Sequence, residues 1–176
     1  ILGATGTLGQ IALQLARILG AGSVVGAARD AAALERLRAS GLADAVVALG
    51  SNDDAAALKA VAGEGFDVVL DGVCGPPLLA ALKATRWGAR ILTIGTGAGR
   101  DIQLNIADLL FRTLSCVGTG QRSPSDREAT WRRLLQLARE HQITFDQVGY
   151  RFDEMPAAWA AQVAGPHAKI TASFNG

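Results

Sequence analysis

Short apolar runs recur along the first two thirds of this chain at a spacing that no hairpin can bridge. Residues 23–28 (SVVGAA), 45–49 (AVVAL), 66–71 (FDVVLD) and 89–95 (ARILTIG) are strand-sized, and a helix-length segment separates each from the next. The intervening segments carry helix signals. Asp30 is placed to cap one helix, with Leu34 and Leu37 on its inner face, Arg36 and Arg38 on its outer face and Gly41 as its stop. Asp53 or Asp54 opens another, carrying Leu58 and Val61 inward, and a third spans 77–87. Strands joined this way must run parallel with right-handed crossovers. The expected fold class is therefore α/β: a doubly wound parallel sheet in three αβα layers.

The first nine residues, ILGATGTLG, place an apolar stub against Gly3, Gly6 and Gly9, followed by a helical apolar pattern at Leu8, Ile11, Ala12, Leu15 and Leu19. Strand, tight turn and helix in that order make a dinucleotide-binding turn. Glycine lets the backbone bend and lets a pyrophosphate approach the free amides and positive dipole of the helix N-terminus. On this reading Thr5, Gly6, Thr7, Leu8 and Gly9 form the phosphate turn, with Ala4 where the fingerprint usually begins with glycine. Only Ile1 and Leu2 precede Gly3, so the chain is expected to begin inside its own first strand.

Nineteen residues beyond Gly9, at the end of the second strand, an acidic side chain would accept hydrogen bonds from an adenosine ribose. Ala28 stands there, followed by Arg29. An arginine beside a vacated carboxylate position suits a 2′-phosphate, which it can hold by two parallel charged hydrogen bonds. The expected cofactor is NADP(H) rather than NAD(H).

Beyond residue 95 a Gly-rich loop runs through Arg100, a helical segment is expected near 106–111 and a sixth strand at 114–118. Ser125 or Asp126 starts a long helix expected to bury Trp131, Leu134, Leu135 and Ala138 and to expose Arg127, Arg132, Arg133 and Arg139. No aromatic side chain is expected on the face those arginines share, so the stripe does not read as a nucleic-acid surface. After Ile143 a strand at 148–152, a short helix at 155–163 started by Pro156 and a last strand at 169–174 form an α+β segment that need not join the main sheet.

Composition narrows the rest. The chain is 49% hydrophobic but only 5% aromatic, which fits a core of Ala, Val, Leu and Ile. A net charge of +1 and the lack of like-charge blocks suggest no nucleic-acid partner. No apolar run reaches membrane-spanning length, so the expectation is a cytoplasmic protein. Cys74 and Cys116 read as free thiols, and no cluster with metal-ligand spacing is seen. His141 and His167 have no partner at a recognisable spacing and are expected at the surface.

Four stretches in order, GATGTLGQIALQLARILGA, FDVVLDGVCG, ARILTIGTGAG and FDEMPAAWAAQVAGPHAKI, resemble the nucleotide-binding half of the medium-chain dehydrogenase/reductase superfamily. Its zinc-independent quinone oxidoreductase and enoyl reductase branch is the most similar in the turn. The resemblance covers nearly the whole chain and implies a Rossmann-type domain over 1–143, with 144–176 returning in the family to a catalytic domain absent here. It further implies that Gly72 and Val73 meet the adenosine side of the cofactor and that Ile94, Gly95 and Thr96 flank the nicotinamide, with 118–120 near the same end. A small-molecule substrate of the quinone or enone class and a homodimer through the sixth-strand edge are implied as well. Asp71 reads as a turn or capping carboxylate, and no catalytic residue is nominated within the chain.

Two other readings share the turn. A short-chain reductase needs Tyr-x-x-x-Lys, but the only tyrosine, Tyr150, is followed at that spacing by Glu154. A noncatalytic NADP(H)-sensing module of the NmrA-like kind, or a structural dimerisation domain, remains open at the level of sequence. So does the choice between a portion of a longer enzyme and a chain reduced to its cofactor domain.

Overall fold

The computed structural model describes residues 1–116 and 122–174. Its main sheet is parallel throughout and is organised around the N-terminal stub. Leu2 bridges Ala27 on one side and Asp71 on the other. Its amide donates to Leu70 O at 2.9 Å and its carbonyl accepts from Gly72 N at 3.2 Å. Strand β1 (Val25–Ala28) therefore lies to one side of the stub and continues outward to β2 (Ala45–Ala48), while β3 (Phe66–Asp71), β4 (Thr85–Thr93) and β5 (Thr113–Cys116) follow on the other. Reading across, the order is β2, β1, stub, β3, β4, β5, the doubly wound order in which the chain reverses direction beside the stub.

Helices cover both faces. Helix α1 (Thr7–Ile18) and helix α2 (Ala31–Ala39) pack Leu13, Leu34 and Leu37 with Ala4 and Val24 in one apolar cluster. Helices α3 (Asp54–Val61) and α4 (Gly75–Lys83) pack Leu58, Leu78 and Leu82 with Leu2, Val69 and Ile91 in the other. Full burial of one such side chain contributes about 1.5–3 kcal/mol, so the two clusters hold the three layers together. Capping follows the sequence: Asp30 accepts from Ala33 N at 2.8 Å and Asp53 from Ala56 N at 2.9 Å.

Several elements differ from expectation. Helix α4 stops at Lys83, and Trp87 lies in β4, which starts at Thr85 rather than at 89. Phe66 pairs with Thr85 but Val68 pairs with Arg90, so the intervening residues bulge out of the ladder around Gly88 at φ 79° and leave Trp87 exposed. The apolar face of α1 is also rotated. Leu8 and Leu19 are exposed, whereas Gly9, Gln10, Ala12 and Leu13 are buried, because the helix seats a glycine against the turn. Helix α5 (Pro124–His141), capped by Ser123, buries Leu137 and leaves Trp131 and Leu135 exposed, contrary to the expected inner face. The expected helical segment near 106 is a single 3-10 turn at Ile106–Leu109.

Strands β6 (Gln147–Arg151) and β7 (Lys169–Ser173) pair in parallel as a separate two-stranded sheet, joined by α6 (Met155–Ala164). No helix among the described residues is long and apolar enough to cross a membrane.

Candidate cofactor cleft

The C-terminal ends of β1 and β3 and the N-terminus of α1 open into a cleft of about 880 Å³. Its floor is the turn. Gly3 adopts φ 78°, Gly6 N donates to Gly3 O at 3.2 Å, and Gly6 N-caps α1 without any side-chain hydrogen bond. The first-turn amides of α1 are thus left for a ligand, and they carry the partial positive charge of the helix end. Gly9 packs so closely that a Cβ there would lie 2.3 Å from Gly3 O and 2.6 Å from the Ala4 backbone. Only glycine brings the helix that near the turn.

All of the nominated turn residues, Thr5 to Gly9, line this cleft, together with Ala28, Arg29, Gly72, Val73 and Ile94. Gly95 and Thr96 are not in its wall, where Gly97 and Ala98 stand instead. Gly95 serves a packing contact: a Cβ on it would lie 2.2 Å from Gly72 O, so the loops after β3 and β4 touch backbone to backbone. Residues 118–120 lie outside the described residues.

Arg29 is exposed on the cleft and makes no ion pair among the described residues. The neighbouring carboxylate is already engaged. Asp30 Oδ1 accepts from Ala33 N, and Oδ2 lies 3.1 Å from His167 Nε2. The Ala33 amide, aided by His167, holds Asp30 below the ordinary carboxylate value against a smaller opposing effect of desolvation. His167 is therefore not a partnerless surface histidine. It is half-buried at φ 52°, and it brings the stretch from Gly165 to Lys169 along the cleft. The sequence reading missed Lys169, a cation in the cleft wall, because nothing local to β7 points to the turn more than 150 residues earlier.

Asp71 is fully buried at the end of β3, where its Oδ1 accepts from Val73 N at 2.9 Å and Cys74 N at 2.8 Å and its Oδ2 from Thr93 Oγ1 at 3.0 Å. As expected, it is a turn carboxyl, and it ties the two loops beside the cleft together. Cys74 is a buried free thiol held at φ 58°, and Cys116 is an exposed one.

A profile of the family described as zinc-binding dehydrogenase matches residues 7–140. The chain belongs to that family. It is the nucleotide-binding half of the medium-chain dehydrogenase/reductase fold. Benzyl alcohol dehydrogenase from Acinetobacter calcoaceticus superposes with a TM-score of 0.81 at 26% identity, covering 97% of this chain and 48% of that one. CurA from Vibrio vulnificus, solved in complex with NADPH, gives 0.78 at 19% identity, covering 99% and 56%. A quinone oxidoreductase from Pseudomonas syringae pv. Tomato DC3000 gives 0.78 at 19% identity, covering 97% and 55%. The chain spans about half the length of these solved relatives. Among curated proteins, none matches it in sequence. The family description names zinc, but the described residues bring together no group of three or more His, Cys, Asp or Glu that could hold a metal ion.

Proposed function

We propose that this chain is the NADP(H)-holding half of an oxidoreductase that moves a hydride to or from a small molecule of the quinone or enone class. One observation carries the reading: an uncapped helix N-terminus, drawn against the turn by Gly9, opens into a cleft lined by Arg29, where the one carboxylate among the described lining residues, Asp30, is already engaged by Ala33 N and His167. The first-turn amides of α1 would receive the pyrophosphate, and Arg29 the 2′-phosphate. Lys169, which also lines the cleft, adds a second cation to a site that would take several phosphate charges. Gly72 and Val73 would meet the adenosine side of the cofactor and Ile94 the nicotinamide, with Gly95 and Thr96 flanking the nicotinamide from outside the wall. When bound, the dinucleotide supplies the hydride chemistry, and the protein's part is to orient it and shield it from water. CurA was solved with NADPH, which favours this cofactor, and the Pseudomonas syringae relative is a quinone oxidoreductase, which favours this substrate class.

Parallel titrations with NADPH and NADH, followed by nicotinamide fluorescence, test the reading. The expected result is preference for NADPH, reduced in Arg29→Ala toward the NADH value by on the order of tenfold or more, the loss of one charge-assisted phosphate contact. Equal affinity for both nucleotides in the unaltered chain would overturn it.

A dimer through the β5 edge belongs to the same proposal, because among the described residues β5 pairs on one side alone, with β4. The exposed Trp87 and Phe111, with ring centroids 5.0 Å apart, present apolar surface near that edge. Sedimentation that shows only monomer at high concentration would refute the dimer.

A further inference from the structure

Gln10 is a polar side chain with only 3% exposure, set in the first turn of the helix that opens onto the cleft. Both ends of its carboxamide are engaged. Nε2 donates to Thr5 O at 3.1 Å in the phosphate turn and to His167 O at 3.0 Å in the C-terminal stretch, with Asp146 Oδ2 at 3.4 Å, while Oε1 accepts from Asp146 N at 2.9 Å. One helical turn later Gln14 repeats the pattern: its Oε1 accepts from Thr144 N at 3.0 Å and its Nε2 donates to Thr144 O at 2.6 Å.

The spacing explains why two glutamines suffice. Four residues of helix rise about 6 Å, and two residues of extended chain rise about 6.6 Å. Side chains at i and i+4 of α1 therefore meet backbone groups at 144 and 146 as a neighbouring strand would. From Asp146 the connection passes directly to β7, since Lys169 N donates to Asp146 O at 2.7 Å. His167 Nε2 then meets Asp30 Oδ2 at 3.1 Å, and both residues line the cleft.

We propose that Gln10 is a positioning residue that sets the stretch Gly165–Lys169 as the second wall of the cleft, coupling that wall to the phosphate turn through Thr5. Lys169 reaches the cleft because Gln10 holds the carbonyl two residues before it. The coupling to nucleotide rests on the cofactor reading above; the anchoring does not.

Hydrogen exchange of this chain without nucleotide tests the anchoring. In Gln10→Met, amide exchange at 144–146 and 165–169 is expected to rise on the order of tenfold to a hundredfold, as for the loss of a few partly buried hydrogen bonds. Sheet amides such as Leu2 and Ala27 should keep their protection. Gln14→Met should loosen 144–146 and leave 165–169 near the unaltered rate. Gln10→Glu replaces the donor by a second acceptor facing two carbonyls and the Asp146 carboxylate. The wall should therefore loosen at pH 8 and recover at pH 5, after correction for intrinsic exchange, as the introduced carboxyl takes up a proton and donates again. Unchanged exchange at 165–169 in Gln10→Met, an equal loss of protection over the whole sheet, or no pH recovery in Gln10→Glu would each overturn the assignment. With NADPH, Gln10→Met should weaken binding about tenfold, and Gln10→Met with Lys169→Met should bind no worse than Lys169→Met alone. Additive losses would overturn the coupling, and failure of the unaltered chain to bind NADPH would refute the cofactor reading while exchange still decides the anchor.

Discussion

Gly9→Ala is the sharpest test of how the turn works. A Cβ at that position would sit 2.3 Å from Gly3 O and 2.6 Å from both Ala4 C and Ala4 Cα. Ordinary contact begins near 3.4 Å, so α1 must move away from the turn by roughly 1 Å. The obstructing atoms are all backbone, and no side-chain rotation relieves them. Overpacking of this kind costs about 1–3 kcal/mol, and more where backbone cannot yield. The displacement also carries the first-turn amides of α1 away from the anion position, so NADPH affinity should fall by at least about tenfold. Gly6→Ala is the control, because its Cβ would meet Gly3 O at an unstrained 3.6 Å while facing the same cleft. It should keep its urea midpoint and lose affinity alone. Urea denaturation and nucleotide fluorescence, run on both variants, separate the two effects. A Gly9→Ala protein with unaltered midpoint and unaltered NADPH affinity would refute the argument from close approach.

Other perturbations follow from the same contacts. Asp71→Ala strands the buried Cys74 amide, the half-buried Val73 amide and the Thr93 hydroxyl and should lower stability by on the order of 3 kcal/mol. Asp71→Asn keeps Oδ1 for both amides and lets the Thr93 hydroxyl turn to accept, so most of the loss should be recovered in urea melts; equal losses would count against the clasp. Asp44 is held below 3.8 by the Arg17 side chain and then by Val24 N, and Asp30 by Ala33 N. Their contribution is full above 3.8 and is lost as pH falls through the lower folded values, so Asp44→Asn should make the acid limb shallower.

How much was legible depended on whether the partner of a residue was local. The capping of α2 by Asp30, the stop at Gly41 and the turn-and-helix start at Gly3 to Gly9 are encoded within a few residues and stand where the sequence placed them. The strand spacing implied a parallel order, and the sheet has it. Periodicity misjudged α1 and α5 because it counts apolar residues and cannot see what a helix meets. On α1 a glycine contact and a buried glutamine displaced Leu8 and Leu19, and on α5 a single buried leucine replaced the expected face around Trp131. The bulge around Gly88 was equally hidden, since a tryptophan beside an alanine-rich helix reads as more helix.

By itself, then, the sequence determined the doubly wound topology, the glycine-built turn into α1 and a cation, rather than a carboxylate, just past the end of β1. Each follows from backbone conformation, from the length of chain needed to cross a sheet, or from charge at one position. The tertiary structure alone decided that the stretch 165–169 joins the cleft wall. Gln10 meets Asp146 and His167 across 136 and 157 residues, and His167 meets Asp30 from the far end of the chain. A carboxamide or an imidazole carries no mark of its partner until packing brings the two together, because a hydrogen bond depends on distance and direction in space rather than on order along the chain.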